Sequence, residues 1–229
     1  TAHQLRYWRI NAQLAPEGAV APNMLYSFTT NNQPADSVDQ GQIIDVALAF
    51  KNISNIPFDS LLKVKFVITD QNYATHVIIP EKRKALIAGD TLIAKYSFDT
   101  RNYPGHNTLL IDFNPDFDQP EQHHYNNVLY KDFFVRADNY HPLLDVTFDG
   151  VHILNNDIVS SKPTILVKLK YESKFLALND TSLLKVQVRF PDQTLRQYHF
   201  GDSMIFTPAN LASGENTATI EFRPYFAED

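Results

Sequence analysis

Ile43-Ile44-Asp45-Val46-Ala47-Leu48-Ala49-Phe50-Lys51-Asn52 decides the fold. Ile44, Val46, Leu48 and Phe50 fall on one side of an extended chain, and Asp45 and Lys51 fall on the other. That is the period-2 pattern of a half-buried strand. The pattern recurs outward from this stretch. Within residues 61–69, Leu62, Val64, Phe66 and Ile68 share a face, with Lys63 and Lys65 opposite. After Ala88-Gly89-Asp90, residues 92–98 place Leu92, Ala94, Tyr96 and Phe98 together. Runs at 25–29, 76–80, 108–113 and 128–135 complete a set of about seven strands, the number and spacing of a β-sandwich.

No window of about 12 residues has a 3.6-residue period. Residues 174–184 have room for one helical turn, which Asn179, Asp180 and Thr181 would break. A polar, proline-terminated stretch at 136–142 reads as a boundary. A second strand set follows: 144–148, an Asp149-Gly150 turn into 151–154, then 164–170, 183–190, 195–200 and 217–222. Asp-Gly between alternating apolar residues is a strong hairpin signal. The expectation is an all-β chain of two tandem immunoglobulin-like, antiparallel β-sandwich domains. Residues 1–21 form a strand or connector containing Tyr7-Trp8-Arg9-Ile10, 22–136 the first sandwich and 137–229 the second, truncated before its last strand. Starting at Thr1 without an initiating Met or a leader, the chain reads as a processed or excised piece.

Composition narrows the function. There are 26 acidic against 20 basic residues, a formal charge of −6. No basic stripe is present to neutralise phosphates, so nucleic acid is not an expected partner. No apolar run reaches the roughly 18–20 residues of a membrane span, so direct membrane insertion is not expected. The chain has no cysteine, which removes disulfides, thiolate metal sites and a thiol nucleophile.

The densest ligand-like cluster is Asp112, Asn114, Asp116, Asp118 and Glu121, followed by His123 and His124. Oxygen ligands at alternate residues make the first five calcium candidates. An EF-hand is excluded, because Phe117 stands where Gly is needed and His123 where the bidentate Glu belongs. The preferred reading is no metal but a solvated turn whose Asn and Asp side chains bond local backbone, a role that Asn126 and Asn127 fit. Gly201-Asp202-Ser203-Met204 resembles the Gly-Asp-Ser block of one esterase family, but no Asp-x-x-His partner follows it, and a turn is preferred. No catalytic residue and no cofactor are expected. Tyr7, Trp8, Tyr26 and Phe28 could form an aromatic platform for sugar, but an edge aromatic packed under a loop is preferred.

Three motifs in residues 22–136 carry a family resemblance: Phe50-Lys51-Asn52-Ile53-Ser54, Ala88-Gly89-Asp90-Thr91-Leu92, and Glu121…Asn126-Asn127. In order and spacing they resemble CARDB-type domains, immunoglobulin-like modules associated with bacterial cell adhesion. With Pro16-Glu17-Gly18-Ala19 before them and 144–150 after, the chain resembles the region downstream of the catalytic domain in gingipain-like cysteine peptidases of Bacteroidetes. Those are exported by type IX secretion. The resemblance implies a non-catalytic adhesion-like or spacer module, secreted or on the outer-membrane surface of a Gram-negative bacterium. Its partners would be other domains of the same polypeptide and a cell-surface protein or glycan. The alternative is a carbohydrate-binding module using exposed aromatics or a calcium loop at 112–124. Asp36-Ser37-Val38, Asp59-Ser60-Leu61, Asp90-Thr91-Leu92 and Asp202-Ser203-Met204 resemble the O-glycosylation signal of Bacteroidetes envelope proteins.

Overall fold

The computed structural model describes residues 14–59, 61–78, 85–190, 192–201 and 203–226. The Tyr7-to-Ile10 run, Ser60 and Asp202 lie outside them. The described residues are all-β apart from two three-residue 3-10 turns, Thr181–Leu183 and Leu211–Ser213. It divides into two compact units, Thr1–Ala137 and Asp138–Asp229.

The described residues of the first unit form β1 (Gly18–Val20), β2 (Tyr26–Thr30), β3 (Gln33–Pro34), β4 (Ser37–Asp39), β5 (Ile43–Asn52), β6 (Val64–Thr69), β7 (Thr75–Ile78), β8 (Thr91–Asp99), β9 (Gly105–Phe113) and β10 (Val128–Arg136). One sheet is centred on β5, with β8 along one edge and β1 and β2 end to end along the other. The second sheet runs β4-β10-β9-β6-β7. The inward residues of each merge into one core, and the rings interlock across the gap. Phe50 of β5 stacks on Phe113 of β9 at 4.5 Å, and Phe28 meets Phe133 at 5.4 Å. This is a two-sheet sandwich built by the alternation of β5, β6, β8 and β9, whose inward residues are nearly all fully buried.

Two expectations need correction. Pairing is not antiparallel throughout, since β4 runs parallel to β10, with Ser37 opposite Phe134 and Asp39 opposite Arg136. Three residues are too few to show periodicity, and only Val38 of β4 is buried. Phe28 does not belong to an exposed aromatic platform, and Tyr7 and Trp8 lie outside the described residues. Phe28 is 6% exposed and faces the core.

The second unit contains β11 (Leu143–Phe148), β12 (Ile165–Lys170), β13 (Val186–Arg189), β14 (Leu195–Tyr198), β15 (Met204–Thr207) and β16 (Thr217–Phe222). A four-stranded sheet, β11-β12-β16-β15, packs under the β13-β14 ribbon, with the Tyr198 and Phe222 rings 4.7 Å apart. The Asp149-Gly150 turn forms, both residues at positive φ, but its hairpin ends after the single bridge Phe148–Val151. The ladder gives way to a side chain: His152 Nδ1 donates to the Val146 carbonyl at 3.2 Å, so residues 151–154 are no strand. Strand β11 pairs instead with β12.

Candidate functional site

The loop between β9 and β10 meets the segment leading into β1 at one end of the first unit. Phe113 ends β9, and Asn114 turns the chain at φ 57°, a left-handed position that Asn tolerates better than most residues. The fully buried Asn114 amide then gathers the loop. Its Nδ2 donates to the Gln119 carbonyl (2.7 Å) and to Glu121 Oε1 (2.5 Å), while Oδ1 accepts from Gln119 N (3.2 Å).

Two carboxylates hold the chain that enters here. Glu121 Oε1 also accepts from Asn127 Nδ2 (2.9 Å), and Oε2 accepts from the Gly18 amide (3.1 Å). Glu17, 7% exposed, reciprocates: Oε2 accepts from the amides of Gln122 (2.9 Å) and His123 (3.0 Å), and Oε1 from Asn126 Nδ2 (2.7 Å). Val20 N donates to the Asn126 carbonyl at 2.9 Å. Five bonds therefore tie residues 17–20 to residues 121–126, about a hundred positions later in the chain. Each of these bonds to the two carboxylates comes from an N–H, so dipoles rather than a cation offset their charge. Burial raises the pKa of Glu121, and the neighbouring Glu17 adds to that, against the lowering effect of its three N–H partners.

The three resemblance motifs meet at this same end. Asn52, wholly buried, donates through Nδ2 to the carbonyls of Ile56, Leu86 and Ile87, and its backbone amide bonds the Asp90 carbonyl. Ser54 Oγ donates to Asn52 Oδ1 (2.8 Å) and accepts from the Glu17 amide (3.1 Å), while the Ile53 amide bonds the Glu17 carbonyl. Glu17 is thus the point where the motifs join. The role of its carboxylate is not visible in Pro16-Glu17-Gly18-Ala19, because all its side-chain partners lie more than a hundred residues away. Gly18 carries a steric signature: a Cβ there would stand 2.1 Å from Phe50 Cζ. The chain passes against the Cζ end of that ring, and only glycine fits.

The calcium candidates go to separate partners. Asn114 and Glu121 bond each other. Asp112 faces His124 Nε2 at 3.0 Å, and its pKa is raised by burial, against the lowering effects of His124 and Lys65. Asp116 pairs with Lys63, whose pKa it raises with a smaller contribution from Asp118. Among the described residues no three His, Asp or Glu side chains gather where they could hold a metal ion. Asn127 bonds the nearby Glu121 carboxylate, but Asn126 bonds the distant Glu17 carboxylate, so the local-turn expectation for them is incomplete. Ser203 is exposed in the turn before β15, its carbonyl accepting from Arg223 N at 2.8 Å. Of the other glycosylation candidates, Ser37 is exposed with Oγ accepting from Arg136 Nη1 (2.7 Å), and Thr91 is half-buried. No helix among the described residues is long and apolar enough to cross a membrane.

No protein-family profile matches the chain, and no curated protein does. Solved structures give loose likenesses. The CARDB domain of the PF1109 protein of Pyrococcus furiosus, in a crystal structure with di-metal ions, is 16% identical at a TM-score of 0.40. That match covers 56% of this chain and 100% of that one. The solution structure of the same domain is 17% identical at 0.41, covering 54% and 98%. The alkylpurine DNA glycosylase AlkC of Pseudomonas fluorescens, bound to DNA containing an abasic site analog, is 15% identical at 0.38. It covers 53% of this chain and 31% of its own. None of these assigns a role to a residue here.

Proposed function

We propose that this chain is a non-catalytic, adhesion-related spacer in a secreted or outer-surface protein of a Gram-negative bacterium, set downstream of a gingipain-like catalytic domain. Its first unit carries tension along the polypeptide. The adhesion-related part rests on the three sequence motifs. The mechanical part rests on one observation: among the described residues, the segment leading into β1 and the exit after Arg136 lie at opposite ends of β10.

Glu17 and Val20 bond the residues just before β10 begins at Val128, and the chain leaves where β10 ends at Arg136. Nine strand residues separate these ends, about 27 Å at roughly 3.4 Å each. From Gly18 the chain runs antiparallel along β5, first as β1 and then as β2. A pull on residues before Glu17 therefore acts along the strand axis. Shear of this kind loads the ladder bonds together, whereas peeling would break them one at a time. Strand β10 is loaded the same way between β9 and β4, and Arg136 Nε bonds Asp39 Oδ1 at 2.7 Å at its far end.

Stretching the whole chain by its two termini tests the reading. A discrete rupture belonging to the first unit is expected, with a contour-length gain on the order of 40 nm. Smooth extension without such an event would refute the tension-bearing role.

A further inference from the structure

The outer face of the β4-β10-β9-β6-β7 sheet carries a polar rung beside an apolar one. Thr69, Thr108 and Asp132 lie in register across β6, β9 and β10. They point outward, because their neighbours Ile68, Leu109 and Phe133 are buried in the core. The adjacent outward rung is Val77, Val67, Leu110 and Tyr130, whose end members Val77 and Tyr130 are 51% and 68% exposed.

Above the polar rung, the β6-β7 turn closes an open pocket of about 440 Å3, lined by Asp70, Gln71, Tyr73, His106, Thr108 and Asp132, among others. Its acceptors are fixed in place. Asp70 Oδ1 is held by the amides of Asn72 (2.8 Å) and Ala74 (3.0 Å), and Asp132 Oδ1 by Thr108 Oγ1 (2.6 Å). Tyr73 sits at φ 63° with 88% of its surface exposed. A left-handed backbone suits Gly or Asn and strains a tyrosine. The ring buries almost nothing in return, so neither backbone nor packing accounts for it.

We propose that this pocket is a saccharide-binding site. A pyranose presents an apolar C–H face and an edge of hydroxyl donors, which matches an exposed aromatic ring and an apolar rung beside ordered carboxylate acceptors. No lysine or arginine lines the pocket. Tyr73 supplies the stacking surface, and Asp70 and Asp132 accept from ring hydroxyls. The site is independent of the tension reading, which is judged by rupture alone.

The test is amide NMR of the whole labelled chain, titrated separately to tens of millimolar with cellobiose, maltose and N-acetylglucosamine, and with arginine methyl ester as a cationic probe. At least one saccharide is expected to shift the amides of residues 69–74, 105–108 and 132. Tyr73→Asn, which keeps the left-handed turn, and Asp132→Asn, which keeps an acceptor for Thr108, should each weaken binding at least about fivefold with the thermal midpoint unchanged. Shifts by the cationic probe alone, saccharide shifts that survive both substitutions, or no shifts with any saccharide would each overturn the proposal.

Discussion

A single buried glutamate gives the clearest energetic reading of the site. Hydrogen bonds to a charged group contribute roughly 1.5–3 kcal/mol each, and Glu121 receives three. Burial nevertheless outweighs them, so the folded state holds a proton on Glu121 at a pH where the unfolded chain has released it. Asp112 behaves in the same direction for the same leading cause. By linkage, a pKa raised on folding gives a stability contribution that grows as pH falls through the raised value and is absent above it. The stability of the first unit should therefore rise as pH falls from 7 toward the ordinary carboxylate range near 4–5. Glu121→Gln should flatten part of that rise. Urea unfolding at a series of pH values measures it, and a wild-type unit that loses stability steadily from pH 7 to 5 would contradict this reading.

Among elements, β1 depends most on one position. Its Gly18 passes against the Cζ end of the ring of Phe50, which is itself stacked on Phe113, so a methyl group at Gly18 has no free space to enter. Gly18→Ala should lower the stability of the first unit by about 1–3 kcal/mol through overpacking, measured by chemical denaturation. A neutral result would mean that β1 does not sit on Phe50. Such dependencies were not legible in the sequence, because they join residues far apart in the chain. The long strands were. Residues 43–52 and 217–222 match β5 and β16, since ten or six residues of alternation bury one face whatever lies nearby. Two short strands, β4 and β15, escaped notice. Strand β4 is set by pairing with β10 rather than by its own pattern. Met204–Thr207, hidden behind a Gly-Asp-Ser turn, becomes β15 only because β16 offers an edge. The Asp149-Gly150 hairpin was overread, since the turn chemistry holds but His152 takes the place of the ladder. At the candidate site, Glu121, Asn126 and Asn127 stood out as a motif, and Glu17 stood in Pro16-Glu17-Gly18-Ala19, but nothing local showed that Gln122, His123 and Asn126 bind its carboxylate.

For the molecule as a whole, the account turns on how the first unit is held where the chain enters it. Glu17 sits between the incoming backbone and the 121–127 loop, receiving three N–H donors on its carboxylate. A glutamine there keeps the shape, removes the charge and sets its own N–H2 against one or more of those donors. An unsatisfied buried donor costs about 1–3 kcal/mol. Shear along β1 places that loss directly on the path of the force. The decisive measurement is the lifetime of the first unit under constant tension, with the whole chain held by its termini, for wild type and Glu17→Gln. The account predicts a lifetime shortened about tenfold or more, with rupture of the second unit unchanged. An equal lifetime for the two proteins would contradict it.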